Sequence, residues 1–318
     1  MAMLIGTDEA GYGPNLGPLT IGGSVWRVPD SNADLYDVLE AVVDRGDVDN
    51  KIQVADSKSV YRSAIGLASL ERPVLAMLAA IHGAVPADWL ELARWLGFDG
   101  VLRTGDPVFD ESRNRRLPVA ADSLDVLESS ERLTHELERQ SVEMRAVQVR
   151  MILPDEFNRR VDELGNKAEL LSLATFELID NLIEAHDLGD DELRIGCDKH
   201  GGRSRYAAMI QHVLTDELVQ IHEESLERSR YTWTDIHQAR EIEFRARGES
   251  FFPIAVASMM AKYVRQVAME LWNEFWLAEI PRLRPTQGYP RDAKRFKSEI
   301  ASTMRRMNIA ENEIWRCR

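Results

Sequence analysis

Cysteine is nearly absent from this chain of 318 residues: Cys197 and Cys317 are the whole complement. Two thiols cannot make a disulfide framework, so a hydrophobic core must hold the fold, and a reducing compartment is expected. Long apolar runs are missing too. Nothing approaches the roughly 20 consecutive apolar residues of a membrane span, so no membrane partner is expected. The opening MAMLIGTDEAGYG has no basic leader ahead of an apolar stretch, and the expected location is cytoplasmic. The 7 histidines show no metal-protease spacing, and there is no Gly-x-Ser-x-Gly elbow. Those two hydrolase classes are left without support.

Positive charge is in deficit, with 39 Lys and Arg against 53 Asp and Glu and a formal net charge of −14. Such a chain does not coat nucleic acid by bulk attraction. An enzyme that grips locally remains open, because metal ions can screen the rest. Basic residues do cluster: Lys199, Arg203 and Arg205 form one group, and several more lie between Arg282 and Lys297. A plain solvated face would carry the same clusters.

What is present is ordinary globular material, 44% hydrophobic and 29% charged. MLIGTDEA reads as a strand that ends in acids. GYGPN then breaks it with glycines and a proline, and PLTIGGSVWRV returns as a second strand. Residues 33–45 read as a helix. Apolar residues alternate from Val142 to Leu153, the period of a strand, and Pro154 opens a helix. Over 167–185 Leu171, Ala174, Leu178 and Leu182 recur at helical spacing. LRIGCD is a short strand ending at Asp198. A helix follows His200-Gly201-Gly202, EIEFRARG reads as a strand, and the most apolar helix runs from Pro253 to about Leu277. Alternating strands and helices predict an α/β layer architecture with acids at strand ends. The stretch at about 65–140, helical at its charged end, reads as an insertion in a single domain spanning 1–318.

Asp8-Glu9 is the first candidate for chemistry. Neighbouring side chains of a strand point to opposite faces, so both serve one site only where the strand breaks, and the glycines supply the break. Two carboxylates there suit a hard cation, although a solvated turn would look the same. Asp198 tips a buried strand, where a ligand or a turn-initiating Asp would stand. Asp56-Ser57-Lys58 offers a phosphate anchor or a helix cap. Gly11-Tyr12-Gly13 with Gly17 is not a dinucleotide turn. Pro14 removes a donor, and Asp8-Glu9 would repel a pyrophosphate.

These segments, in this order, resemble ribonuclease HII, the type 2 ribonuclease H family. Gly6-Thr7-Asp8-Glu9-Ala10-Gly11-Tyr12-Gly13-Pro14 is similar to that family's first acidic motif, with Gly17-Pro18 after it. Asp56-Ser57-Lys58, Asn166 with its helix, and the strand ending at Asp198 follow. Then come Ile254-Ala255-Val256-Ala257-Ser258-Met259-Met260-Ala261-Lys262 and Gln287-Gly288-Tyr289. The resemblance implies a ribonuclease H-like fold, a mixed central sheet flanked by helices. It implies endonucleolytic hydrolysis of RNA in RNA–DNA hybrids, or at ribonucleotides embedded in DNA. Two Mg²⁺ or Mn²⁺ ions would sit between Asp8, Glu9 and Asp198, one activating water and one stabilising the leaving 3′-oxygen. Gly11, Tyr12, Gly13 and Tyr289 would meet the ribose, and Ser57, Lys58, Lys199 and Arg203 the substrate backbone. A monomer is expected.

Two departures stand out. Tyr12 replaces an Arg between the family's glycines, which bears on junction recognition. Gln266 stands where the resemblance places a fourth carboxylate, and Glu270, one helical turn on, is the alternative ligand. Two rival readings follow: a nucleic-acid-binding protein of this fold without catalysis, or a nuclease with an altered substrate preference.

Overall fold

In the computed structural model the described residues are 1–318 apart from 62–65, 107, 111–113, 187–190, 236–237 and 318. Strands β1 (Ala2–Ala10) and β2 (Leu19–Val28) form the expected antiparallel hairpin. Short strands β3 (Val43–Asp44) and β4 (Ile52–Gln53) pair separately. Strands β5 (Glu143–Ile152), β6 (Glu192–Asp198), β7 (Gln220–Glu224), β8 (Arg228–Asp235) and β9 (Gln238–Arg245) complete one sheet of order β5-β2-β1-β6-β9-β8-β7. β1 runs parallel to β6, and β6 parallel to β9. The remaining pairs of that sheet are antiparallel. The mixed sheet is flanked by helices, as the resemblance implies.

Ten of the helices frame this sheet: α1 (Leu35–Val38), α2 (Ser57–Val60), α3 (Ala68–His82), α4 (Trp89–Trp95), α5 (Ser123–Gln140), α6 (Pro154–Leu164), α7 (Lys167–Ala185), α8 (Ala207–Val213), α9 (Phe252–Glu279) and α10 (Pro290–Met307); a last turn, α11 (Glu311–Ile314), closes the chain. The stripe on α7 packs on one face with Ile195, Cys197, Ile242 and Phe244. α9 covers the other face over β1 and β2. Glycines let it come close: a Cβ on Gly6 would lie 2.0 Å from the Pro253 carbonyl carbon, and one on Gly22 would lie 2.3 Å from the Ala257 oxygen. Any side chain there would push the helix off the sheet. Among the described residues, no helix is long and apolar enough to cross a membrane.

Two expectations change. Residues 33–45 give only the single turn α1, because Val43 pairs with Ile52 and the chain turns back. Strands β7 and β8 stand in a stretch where no strand was expected. The helices of 65–140 share one apolar cluster with α9 and β5. Glu71 ties them down: its carboxylate accepts N–H bonds from Val119, Ala120 and Ala121 at 2.8, 2.6 and 2.8 Å. The Tyr263 hydroxyl of α9 donates to it at 2.8 Å.

Candidate metal centre

β1 and β6 are neighbours in register, with Gly6 beside Gly196 and Thr7 beside Cys197. Residues paired across parallel strands share a face, so Asp8 and Asp198 rise together at the strand ends. Glu9 stays in the β1 ladder opposite Ile21, ahead of the chain break at Gly11, φ +90°, and joins them from there. One carboxylate oxygen from each of Asp8, Glu9 and Asp198 lies within 4.8 Å of the other two. The structure therefore brings the acidic trio together.

These three groups repel one another. At such separations two full charges repel by roughly 3 kcal/mol, even at an effective dielectric of about 20. Burial, then Glu9 and Asp198, holds the Asp8 carboxyl well above the usual range. Burial and Asp198 push Glu9 up to about 7. Asp198 is raised by burial, against N–H bonds from Gly248 and Lys199; Gly248 donates at 3.0 Å. Hard oxygen donors crowded against their own charge fit Mg²⁺ or Mn²⁺, which would remove the repulsion.

The surroundings arrange this trio. The Ser258 hydroxyl of α9 hydrogen-bonds Asp8 and stands 3.1 Å from the Ser57 hydroxyl. That links the Asp56-Ser57-Lys58 turn to the acids. Asp56 caps α2, accepting from the Lys58 N–H at 2.9 Å. Lys58 is exposed. Burial lowers its ammonium, but Asp56, Asp8, Glu249 and Asp198 outweigh that and raise it. The cap reading of this turn therefore holds.

The turn that follows β1 is joined to the Gln287–Gly288 segment. The Gly288 carbonyl accepts from the Asn15 N–H at 2.8 Å, and Arg265 donates to the Gln287 carbonyl at 3.0 Å. A Cβ on Gly11 would stand 2.3 Å from Arg265 Nε. Tyr289 is half exposed, and Lys167 Nζ lies 4.6 Å above the Tyr12 ring. Arg316 clamps the turn from the far end of the chain, donating to the Pro14 carbonyl at 2.6 Å.

Other expected site residues go elsewhere. Lys199 is buried, and its ammonium donates to the Ser225 carbonyl at 2.6 Å, Ser229 Oγ at 3.0 Å and the Arg203 carbonyl at 3.3 Å. An ammonium has three protons, so nothing is left for a phosphate. Arg203 is ion-paired to Glu169. Glu270 is drawn to Arg115 at 3.2 Å, away from the trio. Gln266 is buried in α9, two turns beyond Ser258. His200 beside them is held neutral by burial, at about 3, with Nδ1 2.9 Å from Ser172 Oγ.

Glu249 was missed. It lies between β9 and α9, and its carboxyl is raised by burial and by Asp198 and Asp56, while Lys58 lowers it. It stands four residues past the end of β9, and no spacing or motif in the sequence pointed to it.

No family model matches this chain, and no curated relative does. Solved structures do show a likeness. Ribonuclease H2 from Pyrococcus horikoshii OT3 is 14% identical, with 98% of this chain and 92% of that chain covered and a TM-score of 0.44. RNase HII from Archaeoglobus fulgidus, solved with PCNA, is 14% identical over 99% and 94%, at 0.43. A variant of Bst-RNase HIII is 15% identical over 99% and 66%, at 0.49. Likenesses this loose assign no family, and the chain's own residues carry its reading.

Proposed function

We propose that this chain is a divergent type 2 ribonuclease H, a divalent-metal-dependent endonuclease acting on RNA in RNA–DNA hybrids or at ribonucleotides embedded in DNA. One observation carries the reading. Three carboxylates from two distant segments converge within 4.8 Å at the ends of adjacent parallel strands. We further propose that 1–318 acts as one domain, with 65–140 inserted.

Asp8, Glu9 and Asp198 would hold Mg²⁺ or Mn²⁺, with Glu249 as a fourth oxygen source in place of Gln266 and Glu270. Bound there, divalent ions supply Lewis acidity for hydrolysis at phosphorus. The protein's own groups do the positioning. Ser258 fixes the Asp8 carboxylate, and the Gly248 N–H fixes that of Asp198. Lys58 sets a cation beside the acids, where a backbone phosphate would lie. The Gly11–Gly13 backbone and the Tyr289 ring border the place for a ribose, whose 2′-hydroxyl distinguishes RNA from DNA.

The rival reading, a binding protein without catalysis, draws on the neutral amide of Gln266, which cannot act as a base. A gel assay separates the two. Duplexes with one ribonucleotide, an RNA stretch or no RNA are incubated with Mg²⁺ or Mn²⁺. Cleavage of the first two and not the third is expected. Tight binding with no cleavage favours the binding protein, and equal cleavage of all three removes ribonucleotide specificity.

A further inference from the structure

α9 carries a second group of polar side chains past the metal centre. Ser258 of this helix touches Asp8, Lys262 stands one turn beyond it, and Arg265 and Gln266 follow one turn beyond Lys262. Residues three and four apart on a helix are surface neighbours, their Cβ atoms about 5–6 Å from one another. Arg265 ends against the turn after β1, where its Nε would lie 2.3 Å from a Cβ on Gly11. Lys262 has its Nζ 5.3 Å from the centre of the Tyr61 ring, at the end of α2.

What this group lacks is an anion. Arg265 is 2% exposed, yet its guanidinium donates only to the Gln287 carbonyl, at 3.0 Å, and its buried Nε has no acceptor. Lys262, half-buried, has neither an ion pair nor a hydrogen bond from its ammonium among the described residues. The buried Gln266 amide has no hydrogen-bond partner among them either. Burial pulls the Arg265 guanidinium down to about 10, and only Tyr289 acts against it. Burial, then Arg265 and Lys58, lowers the Lys262 ammonium, so these cations press on one another. The acids nearby are engaged elsewhere. Glu270, one turn past Gln266, is held by Arg115 at 3.2 Å, and the carboxylates of the metal centre act on Lys58.

Burying a cation without a counter-ion costs stability, and such a group marks a place that a ligand completes. An ammonium, a forked guanidinium and an amide N–H₂ side by side are the complement of a tetrahedral oxyanion. Gln266 decides the sign of this place. A carboxylate there would stand one turn from Lys262 and next to Arg265, and would offset their charge; the neutral amide leaves both open. Solvent reaches the edge of the group, since Gln287 and Tyr289 are exposed and Tyr61 is half-buried. We propose that Lys262, Arg265 and Gln266 form a pocket for a single phosphate group, set along α9 from the metal centre. The pocket stands on these side chains alone. Only the assignment of that phosphate to a substrate strand, rather than to free phosphate, rests on the nuclease reading.

The test titrates inorganic phosphate into the full chain by calorimetry, with divalent ions withheld and ionic strength held constant with chloride. Wild type is expected to bind one equivalent, and Lys262→Met and Arg265→Gln to bind it about tenfold more weakly. Should the arginine variant fail to fold, Gln266→Glu keeps the pocket testable. It supplies the missing anion, so it should unfold at higher urea than wild type and bind phosphate at least about tenfold more weakly. No binding by wild type, or wild-type affinity in Lys262→Met and Gln266→Glu, overturns the pocket. Competition at the same ionic strength separates the sources. Phosphate that displaces a labelled RNA–DNA duplex from wild type supports a backbone phosphate as the occupant, and phosphate that binds alongside the duplex supports a free oxyanion. The two readings fail separately. Duplex cleavage in Mg²⁺ or Mn²⁺ by a chain that binds no phosphate sinks the pocket alone. Phosphate binding that depends on Lys262, without any cleavage, sinks the nuclease reading alone.

Discussion

Two clusters of buried charge meet at the end of β6, and their internal accounting is opposite. On one side Asp198 joins Asp8 and Glu9, three carboxyl groups crowded together with Lys58 as a nearby exposed cation. One residue further on, Lys199 has an acceptor for each of its protons, and His200 sits neutral in an aromatic pocket of Tyr206 and Phe244. Read as sequence, Asp198-Lys199-His200 looks like one functional group. In the fold, the lysine and histidine are satisfied from inside and the carboxylates are not. Buried charge that is short of partners marks the place that awaits something from outside.

That contrast breaks most decisively at Asp8. Asp8→Asn should lower cleavage of a ribonucleotide-containing duplex by on the order of 10³-fold. Because one repelling charge is gone, the same variant should unfold in urea about 1 kcal/mol later when divalent ions are withheld. Intact cleavage would place the chemistry elsewhere. On the satisfied side the sign reverses. Lys199→Met leaves three acceptors stranded and should cost about 2–3 kcal/mol in urea unfolding, with the salt slope of duplex binding kept. A flattened slope with unchanged stability would return Lys199 to the substrate.

His200 sharpens the comparison through pH. Its imidazole, at about 3 when folded against an ordinary 6.5, binds fewer protons in the native state than in the unfolded chain. Its contribution is complete above about pH 6.5 and is lost as pH falls toward about 3, by roughly 1.4 kcal/mol per unit. The stability advantage of wild type over His200→Asn should therefore shrink by about 2 kcal/mol between pH 7 and pH 5. A constant advantage across urea melts at those two values would mean that His200 titrates normally. The smallest effect is expected at Glu249. Glu249→Gln should weaken Mn²⁺ binding, followed by calorimetry, by about tenfold. Unchanged affinity removes it from the centre.

Much of the scaffold was legible because its signals are local. Period-two alternation announced β5, the Gly11–Pro14 break announced the end of β1, apolar residues at helical spacing announced α7, and a long apolar stretch announced α9. The strand β8 was equally readable in principle, since Tyr231 and Trp233 point into the core between Arg228, Arg230 and Thr232. Its outward arginines made it resemble a polar loop. The helix expected over 33–45 failed because Val43 finds a strand partner in Ile52 beyond a loop, and pairing of that kind leaves no trace in periodicity.

From the sequence alone came the acids at strand ends and the glycine and proline break that follows Asp8-Glu9, because each depends on backbone freedom or spacing within a few residues. Only the tertiary structure decided that Lys199, Arg203 and Glu270 spend their charges on Ser225, Glu169 and Arg115, and that Glu249 stands near Asp198. Whether a charged side chain faces a partner or an open site is settled by chain segments far away in sequence, and packing alone brings those to it.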